Sequence, residues 1–592
     1  MDVDDLSESS GSSSGSTYQV QLGPSRSTSH ASIAEALPST ARTQGWKRRK
    51  LSNIWAGRLD RVNVLGNNDY GHTGCVNALS WARNGELLIS SGDDQDLRVW
   101  RMDPSFDPKN EYPFACQSVI RTGHTANVFN AQMLPSSTRI ATVAGDNQVR
   151  VFDVGEAAGR SPTGNEMNYT TRQACTRVFR CHTRRTKRII TEDSPDFFLT
   201  VSEDGEVRQH DLRTSHSCRN GGCPAPLVKL PHELSTIALS PLTPYQFVVG
   251  GESPFAHLFD RRHVGRYLRE EWGMSPSADD PTTCVRRFSR GSRAPGEAKR
   301  YEHITGAKMS AWNGHEVLLS YSLHGVYLYS TRDEPGTNAM VEKSSILPPN
   351  AKRRKYSNER SSSPALDVNM MTDDDWDNVP TPRPGDLPGD PREDEDMMDA
   401  DDEAVNSDEP DIDEEDSDAN DGGTAVEVHG DAPVIYPRMR FTGHCNVETV
   451  KDVNFLGPYD EYVTSGSDDG NFFIWNKSSG ELVDVLEGDD SVVNVIEGHP
   501  TLPLVAVSGI DTTIKLFAPA RGTTTYSKLS NAPSIIRRNA RASRAGTHHA
   551  ADMQLAHFVV HYDRALQALR SAGPESEGAV DPEARIAQCI NQ

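Results

Sequence analysis

The sequence predicts an all-β chain: a seven-bladed β-propeller with long disordered insertions and a short C-terminal helix. Three observations predict it. Two segments, GHTGCVNALSWARNGELLISSGDDQDLRVW from Gly71 and GHCNVETVKDVNFLGPYDEYVTSGSDDGNFFIW from Gly443, share one plan. Each runs from Gly-His through an alternating apolar strand to a Ser-Gly and Asp turn, then to a strand ending in Trp. Once this register is set, five weaker copies follow at nearly constant length. Third, one window is too acidic to belong to any packed core.

Taken in chain order, residues 1–45 are polar, Ser/Gly-rich and without a signal peptide, and read as a disordered terminus. Residues 61–65 look like a strand and precede the first Gly-His. They are expected to supply the outer strand of the last blade, because a ring with an open edge invites aggregation. Blades 1–5 are expected over residues 55–330 and blades 6–7 over 441–520. The distance from the leading His to the terminal aromatic position is 28 residues in His72–Trp100, His124–Phe152 and His182–His210. It is 27 in His232–Phe259, 26 in His303–Tyr329 and 31 in His444–Trp475. In the last repeat Asp489 stands where a His would, 28 residues before Phe517.

This pattern resembles that of WD-repeat propellers. There, the resemblance implies, the His, a strand Ser or Thr, the turn Asp and the Trp form a buried hydrogen-bonded network, as buried polar groups must. The turn Asp falls six residues before the Trp position, at Asp94, Asp146, Asp204, Asp469 and Asp511. Ser253 and Leu323 replace it in repeats 4 and 5, whose blades should rest more on apolar packing. The network accounts for these residues without any catalytic role.

Spacing also locates the insertions. A basic, polar one is expected at about 263–302 and an acidic, disordered one at 331–440. Between 367 and 431 there are 26 Asp and Glu against two basic residues, Arg383 and Arg392. That window therefore holds the whole of the net charge of −23, and the folded remainder is near neutral. No direct, specific nucleic-acid binding is expected of such a remainder, and with no run of 18 apolar residues no membrane partner either. Residues 521–548 read as a disordered linker. In 551–571, Leu555, Phe558, Val559, Tyr562, Leu566 and Leu569 recur at helical spacing. This amphipathic helix would pack on the propeller or enter a partner's groove.

No enzyme motif is present: no phosphate-binding Gly-rich loop followed by Lys, no HExxH, no nucleophile elbow. The nine cysteines lack paired spacing and suggest reduced thiols. Zinc needs four tetrahedral ligands. Cys218 and Cys223 lie close in sequence, with Cys181-His182 upstream, but His182 belongs to the repeat network. The cysteines are thus read as loop residues, and neither metal nor cofactor is expected. Two basic clusters, Lys47-Arg48-Arg49-Lys50 and Lys352-Arg353-Arg354-Lys355, are expected in accessible disorder. As import signals they favour the nucleus over the cytoplasm; otherwise they balance the acidic tract. Arg184, Arg185, Lys187 and Arg188 open repeat 3 and would form either a solvated rim or a contact for an acidic partner.

The informative departure lies at the ends of repeats 3 and 4. They read His210-Asp211-Leu212-Arg213 and Phe259-Asp260-Arg261-Arg262, giving Asp-x-Arg at matching places in consecutive blades. Two guanidinium forks side by side suit a protein interface; the alternative is a pair of solvated or intrablade arginines. Paired boxes of this kind resemble the docking boxes of cullin-4-associated substrate receptors, WD-repeat proteins that bind the damaged-DNA-binding adaptor of the cullin-4–RING ubiquitin ligase. EDGEVRQHDLRT from Glu203, and GPYDEYVTSGSDDGNFFIWNKSSGELVDVLEGDDSVVNVIEGHPTLPLVAVSGIDTTIKLFAP from Gly457, are similar to the subgroup that also carries tetratricopeptide repeats. The acidic insertion fits as well. The resemblance implies a docking role for Asp211, Arg213, Asp260 and Arg262, with the adaptor and an unknown protein substrate as partners. His210 departs from the usual aromatic, and no tetratricopeptide helices follow Pro519. The alternative is a scaffold or histone-binding propeller outside any ligase, its acidic insertion acting as a histone shield.

Overall fold

Short runs of β-branched and aromatic residues, alternately inward and outward facing and punctuated by tight turns, fold here into sheets of four antiparallel strands, to which blades 1 and 4 add a short fifth strand in parallel, Met167–Tyr169 and Val434–Ile435. The computed structural model describes residues 41–66, 70–104, 110–155, 166–218, 222–264, 282–291, 303–336, 429–520 and 522–545. Among them stand seven blades.

From the innermost strand outward, blade 1 is Val76–Ala82, Leu87–Gly92, Asp96–Met102 and Phe114–Arg121, and blade 2 is Val128–Met133, Arg139–Ala144, Val149–Asp153 and Cys175–Phe179. Blade 3 is Thr186–Thr191, Phe197–Ser202, Glu206–Asp211 and the two-residue Val228–Lys229. Blade 4 is Leu234–Leu239, Gln246–Gly251, Ala256–Val264 and Thr282–Phe288. Blade 5 is Ile304–Met309, Glu316–Tyr321 and Val326–Ser330, completed beyond the long insertion by Met439–Phe441. Blade 6 is Val453–Leu456, Tyr462–Gly466, Asn471–Asn476 and Leu482–Glu487. Blade 7 is Val493–Gly498, Val505–Gly509, Ile514–Pro519 and, from the other end of the domain, Leu59–Leu65. That last strand pairs antiparallel with Ile514–Pro519 and buries Leu59 and Leu65, closing the ring as its position before the first repeat predicts. The innermost strands neighbour one another in blade order, with Val76–Ala82 beside Val493–Gly498. Arg188 of blade 3 pairs with Asp452 of blade 6 across the central channel.

The buried networks follow the repeat register in blades 1 to 3. In blade 1 the His72 ring bonds Asp94 at 2.9 Å and Ser90 at 2.7 Å, and Trp100 donates its indole N–H to the same Ser90 hydroxyl at 2.8 Å. His124, Asp146 and Thr142 repeat the arrangement in blade 2, where Phe152 offers no donor. In blade 3, His210 takes the place of Trp. Its Nε2 lies 2.8 Å from Thr200 Oγ1, which also meets His182 Nε2 at 2.8 Å. Nδ1–H of His182 donates to Asp204, so its Nε2 accepts the Thr200 proton and His210 supplies the donor that an indole would. Burial, and the neighbouring His182 ring, hold His210 well below the usual imidazole range and keep it neutral.

Blades 6 and 7 depart from the expected network. Among the described residues the buried ring nitrogens of His444 have no hydrogen-bond partner, and Trp475 donates instead to the Thr442 carbonyl at 3.2 Å. Asp469 turns to Asn539, 3.0 Å away. In blade 7 the Lys515 ammonium bridges Asp489 and Asp511, so an ion pair replaces the His–Asp pair.

Four boundaries are corrected. The insertion expected to be disordered over 331–440 contains strands at its end, Val434–Ile435 and Met439–Phe441, the latter held by pairing with Val326–Leu328. Part of the basic segment 263–302 is the fourth strand of blade 4, Thr282–Phe288. Part of the segment 521–548, expected to be disordered, is a helix, Ala532–Ala545, with Ala532, Ile535 and Asn539 buried against blade 6. Its capture by Asp469 and the Gly443 carbonyl is a tertiary effect that its Arg-rich sequence does not advertise. At the other end, Ala41–Trp55 is a helix, so Lys47-Arg48-Arg49-Lys50 lies on regular structure rather than in a disordered tail. The second cluster, Lys352–Lys355, the window 367–428 and the helix expected at 551–571 lie outside the described residues.

Candidate functional site

Strand direction places the candidate residues. In blades 1 to 3 the His–Asp networks join the start of the innermost strand to the turn between the second and third strands, and the strands of blade 4 run in the same directions. The end of the third strand therefore lies at the opposite end of the ring. Asp211 and Asp260 both sit there, in adjacent blades.

The two boxes have the same geometry. Arg213 lays its Nε and one terminal nitrogen against both carboxylate oxygens of Asp211, each at 3.1 Å, and its backbone N–H donates to Asp211 at 2.9 Å. Arg262 repeats this on Asp260 at 2.9 and 2.6 Å, with its backbone N–H at 3.0 Å. Each guanidinium also stacks on an aromatic ring beside its strand: Arg213 4.4 Å from the Phe197 centroid, Arg262 3.7 Å from that of Tyr245. The two arginine side chains are about equally exposed, at 60% and 59%. A fork held on one edge and one face presents its remaining donors to solvent in a fixed direction, which reduces the ordering cost of binding a partner. The hydrogen bonds from Arg213 hold the Asp211 carboxyl below its usual range. Asp260 is also held low, the bonds from Arg262 outweighing the upward push of burial.

Sequence reasoning placed the arginines and missed their supports. Phe197 and Tyr245 carry a readable signal, an aromatic at the start of the second strand in both blades. The intervening Arg261 does not. It grips Glu192 of blade 3 with two bonds of 2.7 Å and so fixes blade 4 against blade 3 beneath the two boxes.

The other candidates are separated from this pair. Arg184 and Arg185 lie at the network end of the ring, where Arg184 pairs with Glu233, and Arg185 with Glu203 at 2.7 Å. Lys187 meets the same Glu203 at 3.4 Å with its side chain only 11% exposed, and Arg188 turns into the channel. These four do not form an open basic patch; each meets a carboxylate of the chain itself. The helix Ala41–Trp55 lies at the same end as the Asp-x-Arg boxes. It stands over a cavity bordered by Trp312 of blade 5, Phe455 of blade 6 and His499 of blade 7, with Arg48 4.9 Å from the Trp312 ring. Arg48, Arg49 and Lys50 are exposed on it.

Among the described residues two groups have metal-ligand chemistry. His182, Asp204 and Glu206 form one, but both His182 nitrogens serve the blade 3 network. Cys181, His216, Cys218 and Cys223 form the other.

The chain carries WD40 repeats: the family model "WD domain, G-beta repeat" matches residues 64–101, 115–153 and 436–476. The chain is 25% identical to "WD repeat protein iqw1" of Schizosaccharomyces pombe, over 80% of this chain and 90% of that protein. It is 26% identical to human "WD and tetratricopeptide repeats protein 1", over 76% of this chain and 84% of that one. A shorter match, 28% identical over 44% of this chain and 27% of the relative, is to human "DDB1- and CUL4-associated factor 6".

Proposed function

We propose that this propeller is a substrate receptor of a cullin-4–RING ubiquitin ligase, docking to the damaged-DNA-binding adaptor through blades 3 and 4. The observation that carries the reading is the duplicated Asp-x-Arg geometry: two exposed, pre-set guanidinium groups at equivalent places in neighbouring blades. The name of the human cullin-4-associated relative supports it. On this reading the chain performs no chemistry itself. It raises the effective concentration of a substrate lysine beside the charged ubiquitin carrier, and the surface away from the docking boxes holds the substrate.

Affinity purification of the full chain from cells tests this. Wild-type protein should bring down the adaptor and cullin-4, and the double variant Arg213→Ala, Arg262→Ala should bring down neither. Arg262→Ala leaves the buried Asp260 carboxylate with only Gln246 and a backbone N–H, so the double Lys variant is the companion control. It keeps the charge but loses the planar fork, and should not restore full recovery. Equal recovery of the adaptor by wild type and a folded double Ala variant removes the basis for the assignment.

A further inference from the structure

Blade 3 has the weakest outer edge of the seven. Its fourth strand is the two residues Val228–Lys229, whereas those of the other blades run from three to eight. The described parts of the edge segment between Asp211 and Val228 are residues 212–218 and 222–227. Main-chain pairing secures only its last residues, where the Leu227 and Leu230 N–H groups donate to the Val207 and Gly205 carbonyls at 2.8 Å each.

Four side chains converge there. Cys181 lies between the last strand of blade 2 and the first of blade 3, one residue before the network His182. His216, Cys218 and Cys223 come from the edge segment. Cys181 Sγ is 3.2 Å from His216 Nε2 and 3.6 Å from Cys218 Sγ, and Cys218 Sγ is 3.4 Å from His216 Nε2. All four ligand atoms, that of Cys223 included, lie within 4.8 Å of one another. Zn–S bonds of about 2.3 Å and Zn–N bonds of about 2.0 Å in a tetrahedron put neighbouring ligand atoms roughly 3.5–3.8 Å apart. The sulfur–sulfur spacing of 3.6 Å falls in that range and the sulfur–nitrogen spacings of 3.2 and 3.4 Å fall just below it, close enough for the groups to share one ion. The spacings are too short for a cluster that spreads its ligands over several irons. A disulfide would engage two of the thiols and leave the third, and the imidazole, without purpose.

The surroundings are those of a structural centre. Phe179, Leu134, Ile189 and Leu212 pack about the thiols, and the His216 ring stacks on Phe179 at 5.6 Å and 18°. The Arg180 backbone N–H donates to Cys218 Sγ at 3.4 Å, the kind of outer bond that orients and tempers a metal-bound thiolate. Cys181 is 7% exposed and the other three are half-buried, and four protein ligands are enough to fill a tetrahedral shell without an open coordination position.

We propose that Cys181, His216, Cys218 and Cys223 bind one structural zinc ion that staples the outer edge of blade 3 to the blade 2–blade 3 connection. The sequence conceals it because the adjacent His182 draws attention as the nitrogen ligand, while the true candidate, His216, lies in the loop. The site is independent of adaptor docking and stands or falls without it.

The test uses full-length protein purified under reducing conditions without chelator. Elemental analysis should find one zinc per chain. Released zinc should be replaceable by cobalt, giving the intense ligand-field bands of a tetrahedral thiolate site. The variants Cys218→Ser and His216→Ala should lose the zinc and melt earlier. His216→Cys, which keeps four ligands, should retain the metal with a shifted cobalt spectrum, and it serves if the first two do not fold. Wild-type protein that carries no zinc and takes up neither zinc nor cobalt overturns the proposal. So does zinc content unchanged in both His216→Ala and Cys218→Ser, or a Cys181–Cys218 disulfide in place of metal.

Discussion

The blade 3 network makes a prediction with an internal control. In blade 3 the Thr200 hydroxyl serves two buried imidazoles, His182 and His210, at 2.8 Å each. In blade 2 the equivalent Thr142 serves one imidazole, His124, because Phe152 occupies the Trp position; its other contact is a long 3.5 Å approach to the Arg150 carbonyl. Thr→Val keeps the shape and removes the hydroxyl. Leaving a buried nitrogen unpaired costs about 1–3 kcal/mol, so Thr142→Val should cost about that and Thr200→Val about twice as much. Both threonines are fully buried, so water cannot take over. Urea denaturation followed by tryptophan fluorescence gives the two midpoints, and the slopes should be unchanged. A Thr200→Val midpoint equal to or above that of Thr142→Val would mean that His210 does not replace the indole donor.

Two further outcomes follow from buried polar groups. His499 donates to the Gly85 carbonyl at 3.1 Å, and its other nitrogen accepts from the backbone of Thr501 and Leu502 at 3.0 and 2.9 Å. Burial lowers it to about 4, below its unfolded value, so its neutral form stabilises the fold above pH ~6.5 and that stability is lost as pH falls toward 4. The cost of His499→Gln should therefore shrink by roughly 2 kcal/mol between pH 7 and pH 5; a pH-independent cost contradicts this. Asn539→Ala leaves Asp469 and the Gly443 carbonyl without the amide that joins helix 532–545 to blade 6, and should cost about 1–3 kcal/mol. Hydrogen exchange should speed up in that helix and blade 6, and uniform protection in the variant would show that the helix is held otherwise.

The ring was legible because each blade repeats one chemical plan, and a repeated plan betrays itself by period even where Phe152, His210 or Asp489 breaks it. What escaped the sequence was held by contacts distant along the chain. Helix 532–545 has few apolar residues and depends on Asp469, 70 positions away. The fourth strand of blade 4 lies in a segment whose arginines mask a half-buried alternation in Thr282–Phe288. Arg213 and Arg262 were readable from two matching boxes, but the Phe197 and Tyr245 rings beside them, and the Arg261–Glu192 clamp, required the packing of adjacent strands to be known. His216 was invisible for the same reason: nothing in local spacing says that its loop returns to Cys181.

If the chain docks through Arg213 and Arg262, the affinity of the purified chain for the purified adaptor must depend on both. Each single Ala substitution removes an exposed guanidinium that docking would desolvate, a loss expected to cost roughly 2 kcal/mol or about thirtyfold in Kd. The more exposed pair with Asp211 contributes little to folding, the buried Asp260 keeps its Gln246 and backbone N–H partners, and circular dichroism should report an intact propeller. The account predicts measurable binding by wild type, thirtyfold weakening in each single variant and no detectable binding in the double. Wild-type protein that fails to bind, or a folded double variant that binds as wild type does, contradicts it.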